Sequence, residues 1–384
     1  MVEVAQLRAL GWDHPRCMQP MKACTREWSR LHPNIRISWG VRSLGALGDE
    51  PLKGPAEKYD LLSIDHPFCG TAEAAGLLRP FDELLSTSDL DMLGEGAVGP
   101  SHSSYAFGGH QWALATDAAS QVSAFRSDLM RGRPLPETWE DALALASELA
   151  PRVTLPLAPA HAICTFLTLC ANSGSPAAAS LDMLVDQENG ERAIEIILEL
   201  YSRGPAAATR WEPPDVLEQM TKSDEVIYVP LTFSYITYTS SYGGRRPCNF
   251  FNIPSAGDGP VGATLGGVGL AISATSKHPR EAAAFAAWAS SADVQRTIVA
   301  RSGGQPAARS AWTDLELDRK ALGFYSNTIE TIEKAWVRPR GIWWPPFQLA
   351  AGRLLAESIE VGATPRTTLA RLEALYLDTR KRNG

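Results

Sequence analysis

The sequence predicts an α/β protein of two domains with a strand edge that a ligand could approach closely, on three observations. At 384 residues the chain exceeds the roughly 250–300 residues at which single hydrophobic cores stop growing. Strand-like and helix-like segments alternate along its first part, the arrangement that gives sheets with parallel strands. Late in the chain, Gly266 and Gly267 precede an alternating apolar run, which puts backbone N–H groups without side chains at a strand edge.

The elements follow in order. Val4 to Trp12 is an apolar segment ending at Asp13, His14 and Pro15. Met18 to Leu31 carries helical spacing through Met21, Cys24, Trp28 and Leu31. Ile35 to Trp39 alternates like a strand, Tyr59 to Asp65 reads as a second buried strand, and a helical pattern then runs to Leu78. Thr138 precedes Asp141 by three residues, a capping-box variant that opens a helix. Leu265 to Ser273 is a strand and Pro279 to Ser291 a helix whose small residues suit close packing. Pro213-Pro214 and the stretch Pro254 to Pro260 are the clearest loops, the second a plausible hinge approach. Trp28, Trp139 and Trp288 fall inside helical patterns and are expected in the core.

Composition narrows the function classes. Hydrophobic residues make up 45% and charged residues 21% of the chain, ordinary for a globular protein. A net charge of −7, from 36 basic and 43 acidic residues, gives no electrostatic reason to expect nucleic acid. No apolar run approaches the length of a membrane span. The first ten residues lack the basic and apolar regions of a secretory signal. The six cysteines show no disulfide framework spacing and lean mildly toward a reducing compartment.

Candidate site residues come first from position. In sheets with parallel strands, ligands sit beyond the carboxyl ends of the strands, which directs attention to Trp12, Asp13 and His14, to Arg42 and Ser43, and to Asp65 and His66. Asp65 and Asp13 read equally as helix caps. Asp117, Arg301 and Arg338 are further charged candidates, since a buried Asp suits sugar hydroxyls and paired Arg residues suit an anionic group. Arg338 and Arg340 read equally as a solvated loop. Aromatic planes stack on the C–H faces of sugar rings, so Trp211, Tyr235 and Trp336 join the candidates, with core packing as the alternative for each. Gly266 and Gly267 offer bare N–H donors.

Several motifs together resemble the solute-binding proteins of ABC importers, especially the carbohydrate-binding ones of the family 1 type. They are His32-Pro33-Asn34-Ile35-Arg36-Ile37, Tyr59 to Asp65, Gly76 to Asp82, Pro134 to Leu143, and the Leu265–Ser273 strand with Gly303-Gly304-Gln305-Pro306-Ala307. The resemblance covers nearly the whole chain. It implies a two-lobed periplasmic-binding-protein fold with a ligand cleft between the lobes, a crossover near residues 115–117 and a return near 260–266. Lobe one would hold 1–115 plus 264–312, and lobe two 116–263 plus 313–384. It also implies that Ser234 and Tyr235 reach the cleft, against the alternative of a half-buried strand.

The function implied is non-catalytic binding of a small carbohydrate or sugar-like solute, with lobe closure and delivery to the membrane subunits of an ABC permease. Neither cofactor nor metal is expected, and the protein would be a monomer, periplasmic or at the cell surface. His14, Cys17 and Cys24 lack a second zinc-type ligand pair, His102 and His110 have no HExxH relation, and neither a GxSxG elbow nor a P-loop is present. A carboxylate pair among Asp13, Asp65, Asp82 and Asp117 would serve glycoside hydrolysis if the spacing allowed it. The alternative is an intracellular enzyme or sensor on the same scaffold, with cytoplasmic localisation.

Overall fold

A computed structural model describes residues 4–241 and 244–383. The chain begins with strand β1 (Ala5–Trp12), helix α1 (Pro15–Leu31), strand β2 (Ile35–Arg42), the short helix α2 (Leu44–Asp49), strand β3 (Leu61–Ile64), helix α3 (Cys69–Ala74) and strand β4 (Leu78–Arg79). Strand β5 (Leu114–Phe125) precedes helices α4 (Trp139–Glu148), α5 (Pro159–Asn172) and α6 (Gln187–Arg203) and strands β6 (Tyr228–Phe233) and β7 (Asn249–Phe251). Strand β8 (Leu265–Ser273) and helix α7 (Pro279–Ser290) follow, and helices α8 (Trp344–Glu360) and α9 (Pro365–Asn383) close the chain.

Two compact units result. The first contains Met1–Ala119, Gly266–Arg319 and Arg338–Ile342, and the second Ser120–Leu265, Lys320–Val337 and Trp343–Gly384. The five-residue segment Arg338–Ile342 belongs to the first unit although its chain neighbours on both sides belong to the second.

In the first unit β1 pairs in parallel with β2 and β3, while β8 runs antiparallel to β3 and β4. The sheet is therefore mixed, and the expected parallel pairing is confined to β1, β2 and β3. β1 is covered by a strand on each side, which explains why its last four residues are all buried. α1 starts where Pro15 fits the first turn and His14 accepts the Arg16 N–H. Its buried Cys17, Met21, Cys24 and Trp28 form one stripe, and they join Leu7, Ala9, Leu61, Leu270 and Phe285 of α7 in a single core. Trp28 is buried and Trp288 half-buried against that core. The helical pattern expected up to Leu78 is shorter in the fold: a 3₁₀ turn over His66–Phe68, then α3, then the β4 strand.

In the second unit β5 pairs antiparallel with both β6 and β7, with a bulge between Val122 and Ala124. α5 is buried along almost its whole length, and its buried Thr168 is paired by donating to Thr264 Oγ1 at 2.9 Å. It packs against α8, where a Cβ at Gly352 would press on the Pro159 carbonyl oxygen. The Thr138–Asp141 capping box is present: Thr138 N–H donates to Asp141 Oδ2 at 3.0 Å, and Asp141 N–H to Thr138 Oγ1 at 3.1 Å. Inside the apolar core, Trp139 Nε1 donates to Asn172 Oδ1 at 2.8 Å, and Asn172 Nδ2 to the Val261 carbonyl at 2.8 Å. Buried polar groups are thus paired as they must be. All six cysteines are buried and none forms a disulfide. Among the described residues no helix is long and apolar enough to cross a membrane.

Candidate functional site

The carboxyl ends of β1, β2 and β3 in the first unit gather the polar groups that matter most. β3 ends at Ile64, and Asp65 turns the chain by accepting the His66 N–H at 2.9 Å. The cap reading of Asp65 is therefore correct, and the carboxylate has a second task. Arg338 Nη2 donates to both of its oxygens, at 2.8 and 2.7 Å. The Arg338 side chain is 4% exposed and that of Asp65 16%, so the expectation of a solvated loop at Arg338 is overturned.

His66 is fully buried. Its Nδ1 stands 3.2 Å from Asp65 Oδ1, while its Nε2 has no hydrogen-bond partner among the described residues. Its ring meets Tyr105 edge-on at 6.2 Å. Burial first, and then the Arg338 charge, lowers the His66 pKa from 6.5 to about 4, so the imidazole is neutral at physiological pH. Burial alone would raise Asp65. The Arg338 charge, supported by His66, outweighs it and holds the carboxyl well below its usual range.

The segment carrying Arg338 is itself anchored. Arg340 Nη1 donates to the carbonyls of Ser103, Ser104 and Ala106 at 3.1, 3.3 and 2.6 Å. The Gly70 N–H reaches the Arg340 carbonyl at 2.9 Å, and a Cβ on Gly70 would press on that oxygen. Only glycine allows the approach.

A second buried pair lies nearby in the same unit. Arg16 in the first turn of α1 donates through Nε to Asp117 Oδ2 at 2.8 Å and through Nη2 to Oδ1. Burial pushes Asp117 upward against the pull of Arg16. The two flank a small cavity lined also by Trp12, Ser63, Thr116 and Gln305. Trp12 is buried, and its Nε1 has no partner among the described residues. The Asp117 carbonyl also explains Gly267, which holds φ +106° and has no room there for a Cβ. Its glycine is required by backbone conformation and close strand contact. Gly266 beside it is half-buried.

Other candidates have defined local tasks. His14 caps α1 and Ser43 caps α2, accepting the Ala46 N–H at 3.2 Å. Asp13 is exposed. Arg42 is buried and donates to the Ser63 carbonyl at 2.8 Å. In the second unit Ser234 and Tyr235 are buried, the latter edge-on to Tyr238 at 6.3 Å. Trp211 and Trp336 are half-buried against the core of that unit, and the Trp336 N–H donates to the Ala263 carbonyl at 2.8 Å. Sequence reasoning missed Arg16, Tyr105 and Gln305, and overlooked the anchoring by Arg340. No cluster of three or more His, Cys, Asp or Glu residues placed to hold a metal occurs among the described residues.

Comparison with known proteins follows the same line. A family model described as bacterial extracellular solute-binding protein matches residues 48–320. No curated relative matches the sequence. Among solved structures, a solute-binding protein of an ABC transporter from Agrobacterium radiobacter K84, in complex with ribitol, is 19% identical at a TM-score of 0.80, with 99% of each chain covered. Maltose-bound MalE3 of T. maritima is 18% identical at a TM-score of 0.80, covering 99% of this chain and 100% of the other. The GacH receptor of Streptomyces glaucescens is 17% identical at a TM-score of 0.82, again covering 99% and 100%. These likenesses establish a shared two-lobed fold.

Proposed function

Because the chain belongs to the bacterial extracellular solute-binding proteins, we propose that it is a non-catalytic receptor for a small carbohydrate or sugar-like solute, which it passes to the membrane subunits of an ABC permease. It acts outside the cytoplasmic membrane as a monomer. The observation that carries the reading is the constellation at the carboxyl ends of the first unit's strands: an ionised Asp65, a neutral His66 and the Trp12 indole N–H. The Asp65 carboxylate, with 16% of its side chain exposed, supplies the acceptors a polyhydroxylated solute requires, while the imidazole and the indole are buried. Structural relatives with bound ribitol, D-mannitol, alpha-D-tagatose and maltose support the solute class. The solute's preference for the bound conformation shifts the population toward the state that the permease recognises.

A thermal-shift screen against mono- and disaccharides, polyols, sugar acids and sugar phosphates tests this. A solute at 100 times its dissociation constant stabilises by about 2.7 kcal/mol. The expected result is a shift with one class and full recovery of the intact compound. Consumption of the compound would make the protein an enzyme, and a flat screen would remove the carbohydrate assignment.

A further inference from the structure

We propose that Arg338 is a positioning residue for solute recognition: its guanidinium holds the Asp65 carboxylate in one orientation, and Asp65 accepts hydrogen bonds from the solute's hydroxyls. The inference rests on the carbohydrate reading above. Three observations carry it. The first is accessibility: at 16% exposure the Asp65 side chain is reachable from solvent, whereas Arg338, bonded to it, is only 4% exposed. The guanidinium therefore acts through the carboxylate.

The second is occupancy. A carboxylate offers about four lone-pair directions. Arg338 Nη2 takes one on each oxygen, and the His66 N–H takes another on Oδ1. Oδ2 keeps a direction for a hydroxyl, and the other contacts fix where it points. The third is rigidity. Arg338 sits two residues from Arg340, which is tied to three carbonyls of residues 103–106 and to the Gly70 N–H. Segment 338–342 thus brings a cation to Asp65 from a point 273 residues away in the chain. The titratable and charged groups around Asp65 are His66 beside it, Cys69 and Tyr105 within the same unit, and Arg338 and Arg340 on the segment. Cys69 and Tyr105 are raised by burial and stay protonated, so the compensating positive charge at Asp65 comes from Arg338.

The test uses Arg338→Met and Arg338→Lys in the full chain, with ribitol and maltose as calorimetric probes between pH 7.5 and 5.0 and carbon-13 NMR titration of the Asp65 carboxyl. In the parent protein the carboxyl should stay ionised and affinity should hold steady across that range. In Arg338→Met, burial without its counter-charge should bring the carboxyl's titration into the range, and affinity should fall about tenfold or more between pH 7.5 and 5.0. Arg338→Lys should restore much of the flat profile, a rescue that loss of packing alone does not explain. A folded Arg338→Met that binds the probe with parent affinity and no pH dependence overturns the inference and leaves the carbohydrate reading intact. An Asp65 carboxyl that remains ionised at pH 5.0 in that variant also overturns it. A parent protein that binds neither probe nor any other compound of the thermal-shift screen removes the role together with the reading on which it rests.

Discussion

His66 and Asp65 make the first unit sensitive to acid for separate reasons of one sign. His66 is neutral in the fold with its pKa lowered to about 4, against 6.5 when unfolded, so the unfolded chain binds the extra proton between those values. Its stabilising contribution is complete above pH 6.5 and is lost as pH falls through about 4. Asp65 is held low by Arg338, so its contribution is complete above the unfolded carboxyl's range near pH 4 and is lost at still lower pH. Urea midpoints should therefore rise between pH 4.5 and 7, and His66→Gln should flatten that rise. A parent profile already flat in this window contradicts the burial argument. The Arg16–Asp117 pair gives a second expectation. Asp117→Ala removes the counter-charge of a buried guanidinium, which costs about 3–5 kcal/mol, whereas replacing both members by apolar residues should cost far less. Chemical denaturation of the two variants decides between a coupled pair and independent residues.

At the scale of elements, local chemistry sets local stability. Thr138→Ala removes one half of the box that opens α4 and should cost about 1 kcal/mol. Gly352→Ala forces a methyl against the Pro159 carbonyl where α8 crosses α5, and overpacking of that kind costs about 1–3 kcal/mol. Thermal midpoints check both, and an unchanged midpoint for Gly352→Ala means that the helices part without cost. These elements also show what a sequence makes legible. The strands at Ala5–Trp12 and Leu265–Ser273, the helix from Pro279 and the Thr138 box were readable because periodicity and caps act over a few residues. Asp65 and His66 were placed by the strand-end rule. Their partner was not, because contact between residues 273 apart leaves no local pattern. Arg338 was legible as a charged candidate with a solvated loop as the alternative, and its contact with Asp65 was hidden for the same reason. Gly267 was legible as a special glycine, but the carbonyl that demands it, that of Asp117, belongs to a distant strand.

For the whole molecule, the division of each unit among separate chain segments governs how it can be cut. β8 pairs with β3 and β4, and α7 fills the same core as β1 and α1, so residues 1–119 alone lack a strand and a helix of their own core. That fragment, expressed by itself, should show the narrow amide dispersion of an unfolded chain. Well-dispersed resonances would mean that the later segments decorate a core already complete. The six buried thiols have a practical consequence of another kind. Burial raises Cys17, Cys24, Cys69 and Cys248 to about 12 and Cys170 higher still, so these leave almost no thiolate for maleimides or iodoacetamides at neutral pH. A single cysteine introduced on the surface could then carry a fluorophore with the native thiols left in place, and the protein would become an optical reporter of its own ligand.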